Sequence, residues 1–374
     1  MKRILVFCML TLPVFIFAHN TYKTDILGSD FLQTTLVMPD DYEGSVHITL
    51  IKKSPSQASS KAILYVHGYN DYFFQKDLAN RFVDSGYHFY AIDLRKYGRS
   101  YLRHQYPFQV HHISEYFADL DSAITLMQSE GMHEIILMAH STGGLISSLY
   151  CHENRTHLAV KGLILNSPFL DMNQSWFKEN IAIPLVSFWG LFFKNTPIPE
   201  SMNTAYAESL LKNYHGEWEF DTTRKYPSAP PLTSGWIRAI HRAHKSVQKG
   251  LQIPCPILVL FSSQSVYGKW HQGYQRGDGV LDVHDIQKYS LNLGSNVTQK
   301  EIPEGLHDLI LSSPKVRENV YISMFAWIYA QKLDSFSSLP SHLVRPIPYI
   351  FASSIPYISV SSTPSISVNS ISSN

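Results

Sequence analysis

Between about residues 33 and 166, short apolar runs alternate with stretches of helical periodicity. Strands are expected at residues 34–39, 45–51, 62–66, 88–92, 134–139 and 162–165. The later runs, such as "AILYV" and "EIILMA", are almost unbroken in apolar character, as in parallel strands covered on both faces. Helical segments fall between them at residues 74–85, 114–128 and 141–151. This alternation predicts an α/β fold built on a doubly wound, mostly parallel sheet. From residue 169 to about 252 the pattern changes. Trp-rich stretches, the run "IAIPLVSFWGLFF" and Pro227, Pro230 and Pro231 interrupt it, and a cap insertion is expected there. Strand and helix register returns with "CPILVLFSS" and "VTQKEIP", and an amphipathic helix closes the pattern at residues 314–332. The sheet core is thus expected at residues 25–168 and 253–333, with residues 169–252 as the cap. Beyond Leu333 the chain becomes an octapeptide repeat, "IPYIFASS", "IPYISVSS", "TPSISVNS". Proline in every repeat prevents a packed core, so residues 334–374 are expected to be a disordered tail.

The N-terminus reads as an export signal over residues 1–18: Lys2 and Arg3, an uncharged run to Ala18, then polar His19 and Asn20. A periplasmic or secreted location is expected. Bulky Ile16, three residues before a cut after Ala18, leaves an uncleaved short membrane tether as the alternative. Thirty-one basic and 30 acidic residues, with no long run of either sign, give no electrostatic footprint for nucleic acid and favour a small-molecule partner. Cys151 and Cys255 sit in apolar contexts, as buried thiols do, and Cys8 falls in the export segment. Neither CxxC nor HExxH spacing occurs, so a metal enzyme is not expected.

The chemistry is suggested by "MAHSTGGL". An apolar strand runs into Ala139-His140-Ser141, and Gly143 and Gly144 open a helix, the strand-turn-helix setting of a nucleophile elbow. The pattern G-x-S-x-G has Ala139 in its first glycine position, which adds one methyl at a crowded turn. A serine hydroxyl of ordinary pKa needs a base, and the base needs an orienting carboxylate. His307, in "IPEGLHDLIL" after the last expected strand, is the candidate base. Asp278, between Gly277 and Gly279, is the candidate acid; Asp282 and Asp285 compete with it but fall where a helix begins. The oxyanion of an attacked carbonyl needs at least two donors. The backbone N–H of Thr142, directly after the serine, and that of Tyr69 in "YVHGYND" are the candidates.

"LYVHGYNDYF", "AIDLRKYGRS", "MAHSTGGL", "LNSPFLD", "GDGVLDV" and "GLHDLIL" follow one another in the order and approximate spacing of the α/β-hydrolase superfamily. They most resemble the bacterial branch related to monoacylglycerol lipases, lysophospholipases and serine aminopeptidases, over roughly residues 25–332. The resemblance implies Ser141 as nucleophile, Asp278 as acid, His307 as base, and Tyr69 and Thr142 as oxyanion donors. It gives Asp93, Arg95 and Gly98 a mostly structural role. The expected activity is hydrolysis of a lipid-like carboxylic ester through an acyl-enzyme, without cofactor and with lipid or membrane-surface contact through the cap. Trp176, Phe188, Trp189, Phe192 and Phe193 either line an acyl pocket or form the cap's own core. An aminopeptidase, with Glu217, Glu219 and Asp221 receiving a free amine, and a non-catalytic binding protein are the alternatives.

Overall fold

In the computed structural model of the protein, residues 21–154, 159–199 and 204–333 are described; the export segment and the repeat tail lie outside them. A three-residue strand β1 (Lys23–Asp25) precedes two long strands, β2 (Gly28–Asp41) and β3 (Gly44–Lys53). Then follow β4 (Lys61–Val66), α1 (Lys76–Asp84), β5 (His88–Asp93), α2 (Glu115–Ser129), β6 (Glu134–His140), α3 (Thr142–Glu153) and β7 (Val160–Asn166). The segment after β7 holds α4 (Ile183–Trp189), β8 (Pro197–Ile198), α5 (Ala205–Leu210), β9 (Leu232–Thr233) and α6 (Ser234–Lys249). The chain then re-enters the sheet as β10 (Ile257–Ser262), α7 (Val283–Ser290), β11 (Val297–Ile302) and α8 (Pro314–Ala330).

Nine strands form one sheet in the order β1-β2-β3-β5-β4-β6-β7-β10-β11. The first three are antiparallel additions, and the rest pair in parallel. Every residue of β4 and β10 is buried, which accounts for their continuous apolar sequences. After β5 the chain crosses to the other side of β4 to form β6. The carboxyl ends of β4 and β6 therefore flank a topological switch point, where open α/β sheets leave a crevice for ligands.

Three elements depart from the expected pattern. β1, "KTD", has no apolar run; it is held by pairing with β2 and by Asp25, which binds Arg99 at 2.7 Å. β2 spans 14 residues because it pairs along most of its length with β3 in an antiparallel ladder, and only its middle, residues 34–38, alternates inward and outward positions. α6 gives the cap a 16-residue helix, capped by the Thr233 hydroxyl accepting from Trp236 N–H. Its apolar stripe of Trp236, Ile240, Ala243 and Val247 is obscured in sequence by the interleaved basic residues.

The stretch after β5 is a buried polar knot. Asp93 accepts from Phe73 N–H at 3.0 Å and pairs with Arg99 at 2.9 Å, and Arg95 forks onto buried Asp119. Gly98 lies at φ +45°, and a Cβ there would stand 2.5 Å from the Asp93 carboxylate.

Candidate active site

β6 ends in a sharp turn whose backbone is held in a conformation L-residues rarely adopt: Ser141 has φ 51° and ψ −118°. Its carbonyl accepts from Gly144 and Phe169 N–H, and its own N–H donates to Asn166, so the turn is pinned on both sides. The closest approach falls on Gly143, where a Cβ would lie 2.4 Å from the His67 carbonyl oxygen. Ala139 pairs with Val66 and Leu165 inside the sheet and is fully buried, so its methyl is part of the core. Of the two small-residue positions in the elbow, the one after the serine is the sterically demanding one.

His307 Nε2 stands 3.0 Å from Ser141 Oγ, and His307 Nδ1 stands 2.9 Å from Asp278 Oδ2. A carboxylate only accepts, so Nδ1 carries the proton and Nε2 is left to receive one from the serine. Asp278 is fully buried, and its other oxygen accepts from Val280 and Leu281 N–H, both at 2.8 Å. The structure thus brings Ser141, His307 and Asp278 into one line. Asp282 is elsewhere: it is the N-cap of α7, accepting from His284 N–H at 2.9 Å.

Asp285, in the first turn of α7, differs from a simple helix-start acid. Burial, then the neighbouring Asp171, Asp282 and Glu179, push its pKa up to about 6. The folded state therefore binds more protons than the unfolded chain between roughly pH 4 and 6, and stability falls as pH rises through that window. Asp285→Asn is expected to raise Tm at pH 7 by about 1–3 °C, solvent screening at this half-exposed position keeping the gain small. It should also flatten the pH dependence of Tm between about pH 4 and 6; thermal melts across that range check both.

The loop carrying His307 is clamped by four hydrogen bonds from three residues. Asp308 accepts from Asn166 Nδ2 at 2.7 Å and Gln75 Nε2 at 3.2 Å, while Asp308 N–H donates to Tyr206 Oη and Leu309 N–H to Asn166 Oδ1. None of these partners stands out in the sequence, since each is a single polar residue far along the chain from His307. Asp71, His140 and Asp308 place one ligand-type atom each within 4.8 Å of one another. A cation already serves this pocket of charge: Lys225 Nζ lies 2.8 Å from Asp71.

Thr142 is the first residue of α3, where the N–H has no intrahelical acceptor. Tyr69 follows Gly68, where a Cβ would sit 3.0 Å from Ser141 Cβ; glycine lets this loop lie directly over the serine. His67 fixes the turn before it. Its Nε2 accepts from Leu94 N–H at 3.1 Å, so Nδ1 donates to Gly68 O, and burial pushes its pKa down, keeping the ring neutral. After Tyr69, Asn70 exchanges two hydrogen bonds with the backbone of Tyr226, at 2.7 and 2.8 Å, beside the Asp71–Lys225 ion pair. This latch fastens the loop to the cap segment before β9. Asn70→Ala is expected to lower kcat by about 10- to 100-fold with little change in KM, because a donor displaced by a fraction of an ångström serves mainly the transition state. Steady-state kinetics on a soluble short-chain ester check the split.

Tyr69, Ser141, Thr142 and His307 line one cavity of about 380 Å³, with Leu210 and Trp236 among its apolar walls. The cap aromatics expected in the pocket or in the cap core are in neither place. Trp176, Phe188, Trp189, Phe192 and Phe193 are 71, 64, 49, 64 and 53% exposed. Glu217, Glu219 and Asp221 also stay outside the cavity, near Arg317, Lys212 and Arg224 respectively.

Residues 57–311 match the family described as serine aminopeptidase, S33. The chain belongs to this family. No curated protein sequence matches this S33-family chain. Its fold is that of the α/β-hydrolases. A soluble variant of monoglyceride lipase from Saccharomyces cerevisiae, solved with a substrate analog, superposes with a TM-score of 0.58 at 14% identity, covering 80% of this chain and 96% of that one. Monoacylglycerol lipase from Paleococcus ferrophilus gives 0.55 at 14%, covering 75% and 99%. Est1E from Butyrivibrio proteoclasticus, with ferulic acid bound, gives 0.51 at 15%, covering 80% and 100%.

Proposed function

We propose that this S33-family chain is a serine hydrolase that cleaves carboxylic esters with an apolar acyl group. The observation that carries the reading is the continuous Ser141–His307–Asp278 relay, at 3.0 and 2.9 Å, opening into an apolar-walled cavity. His307 takes the Ser141 proton as Oγ attacks the ester carbonyl. The N–H groups of Tyr69 and Thr142 receive the oxyanion, and His307 returns the proton to the departing alcohol. Water, deprotonated by the same imidazole, then releases the acid from the acyl-enzyme.

Acyl esters such as a monoacylglycerol or a lysophospholipid suit the cavity's size and apolar walls. The structural neighbours bearing lipase and esterase names are consistent with that choice. An aminopeptidase needs a free carboxylate to hold the substrate's amine; the cap's three candidate acids lie outside the cavity, and Lys225 in its lining is already paired with Asp71. Residues 1–18, read as an export signal or an uncleaved short tether, support a site of action outside the cytoplasm. Labelling with a fluorophosphonate, followed by a chain-length panel of esters, tests the reading. A folded chain that takes up no label and turns over no ester overturns it.

A further inference from the structure

Cys151 lies in the last turn of α3 and Cys255 two residues before β10, and both are buried. The structure holds them as free thiols, hydrogen-bonded to one another. They meet in one small cleft. Its other described walls, Tyr150, Asn154, Val160 and Pro254, include no histidine and no carboxylate, so the pair lacks the base or metal-ligand company of a catalytic or metal-binding thiol. What each sulfur has beside it is the other sulfur.

The backbone around the pair is fixed independently of the thiols. Gln252 N–H donates to His152 Nδ1 at 2.9 Å, Leu163 N–H to Pro256 O at 3.0 Å, and Ile257 N–H to Asn296 O at 2.9 Å. The end of α3 and the start of β10 are thus already in register, and sulfurs in hydrogen-bond contact have a short way to go to a bond of about 2 Å. The hydrogen bond also makes the two unequal. Cys151 donates, which together with burial pushes its pKa up, while accepting that bond pulls Cys255 down. Cys255 is the one that reaches the thiolate form first. The remaining cysteine, Cys8, lies in residues 1–18. A chain that loses this segment on export keeps an even pair, and compartments outside the cytoplasm oxidise such pairs.

We infer that Cys151 and Cys255 form a disulfide in the exported protein. The Cys255 thiolate attacks a small-molecule or protein disulfide, RSSR, and expels one RS⁻. Cys151 gives its proton to water, attacks the Cys255 sulfur of the mixed disulfide and expels the second RS⁻. Two protein thiols are oxidised, and one disulfide is reduced to two thiols. The bond closes a loop over residues 152–254, which contains the whole cap insertion. A loop of that length restricts the unfolded chain strongly, so the bond acts on stability. Ser141 caps the opposite end of α3, roughly 15 Å away along the helix, so the hydrolytic site is left as it is. The inference rests on the export reading of residues 1–18 and not on the proposed ester hydrolysis.

The full chain, with its own N-terminal segment, is produced in a bacterial host. The periplasmic fraction is quenched in acid, alkylated in denaturant without reductant and mapped by mass spectrometry. The Cys151 and Cys255 peptides should appear as one cross-linked species that reductant separates. In a second measurement the purified chain is reduced and then held in a glutathione redox buffer, where the same link should form. The oxidised chain should melt about 5 °C or more above the reduced one, with turnover of a soluble short-chain ester unchanged. Cys151→Ala/Cys255→Ala should make Tm insensitive to reductant; the comparison of oxidised and reduced natural chain holds even where that variant folds poorly. Alkylated thiols at both positions in the periplasmic chain, a glutathione adduct in place of the link, or a natural-chain Tm indifferent to reductant overturns the proposal. If no chain leaves the cytoplasm, the export reading fails, and the glutathione measurement by itself supports or overturns the pair.

Discussion

Ser141→Ala is expected to abolish fluorophosphonate labelling and to lower ester turnover by about three orders of magnitude or more. The strained turn at the end of β6 presents Oγ to the cavity, 3.0 Å from His307 Nε2, the nitrogen left to take its proton. Removing that oxygen leaves His307 and the oxyanion donors in place but with nothing to acylate, and the residual rate is that of polarised water attack. Folding should be little affected, because alanine fits the space of the serine and the backbone contacts of the turn remain. Mass spectrometry of the labelled protein, together with initial rates on a soluble ester, checks both halves. Labelling that persists in the variant moves the nucleophile to another residue.

Asp278→Asn should cut turnover by on the order of 10⁴ while leaving the serine in position. Oδ1 of this carboxylate is held by two backbone N–H groups, which leaves Oδ2 to accept from His307 Nδ1 at 2.9 Å. An amide can turn its NH₂ toward Nδ1, which then has to accept. The proton shifts to Nε2, and the ring can no longer receive one from Ser141. The imidazolium formed during attack also loses its counter-charge. Asp282→Asn is the control: it changes the N-cap of α7, where asparagine caps nearly as well, and removes one like charge from beside Asp285, so activity should hold and stability should change little. Comparing the variants by folded fraction and kcat separates lost chemistry from unfolding. An Asp282→Asn chain that is folded but inactive, beside an active Asp278→Asn, reverses the assignment of the acid.

The sequence by itself determined the features that depend on local order. The unbroken apolar runs of β4, β6, β7 and β10 mark strands buried on both faces, because only such strands have no polar side to show. Strand-Ser-Thr-Gly-Gly marks the turn at Ser141, because only a residue without a side chain allows the close approach seen at Gly143. His307 and Asp278 were legible for a related reason: each lies in a glycine-containing loop directly after a strand, and parallel strands deliver all such loops to one edge. Only the tertiary structure decided what depends on distant partners. Asn70 meets Tyr226 at a separation of 156 residues, and Asn166 meets Asp308 at 142, and no period or motif links such pairs. Nor did composition settle the fate of the cap aromatics. A run such as "SFWGLFF" is equally compatible with a pocket wall, a core or a surface. α5, α6 and the segment before β9 cover the cavity themselves, and that leaves the rings of α4 facing outward.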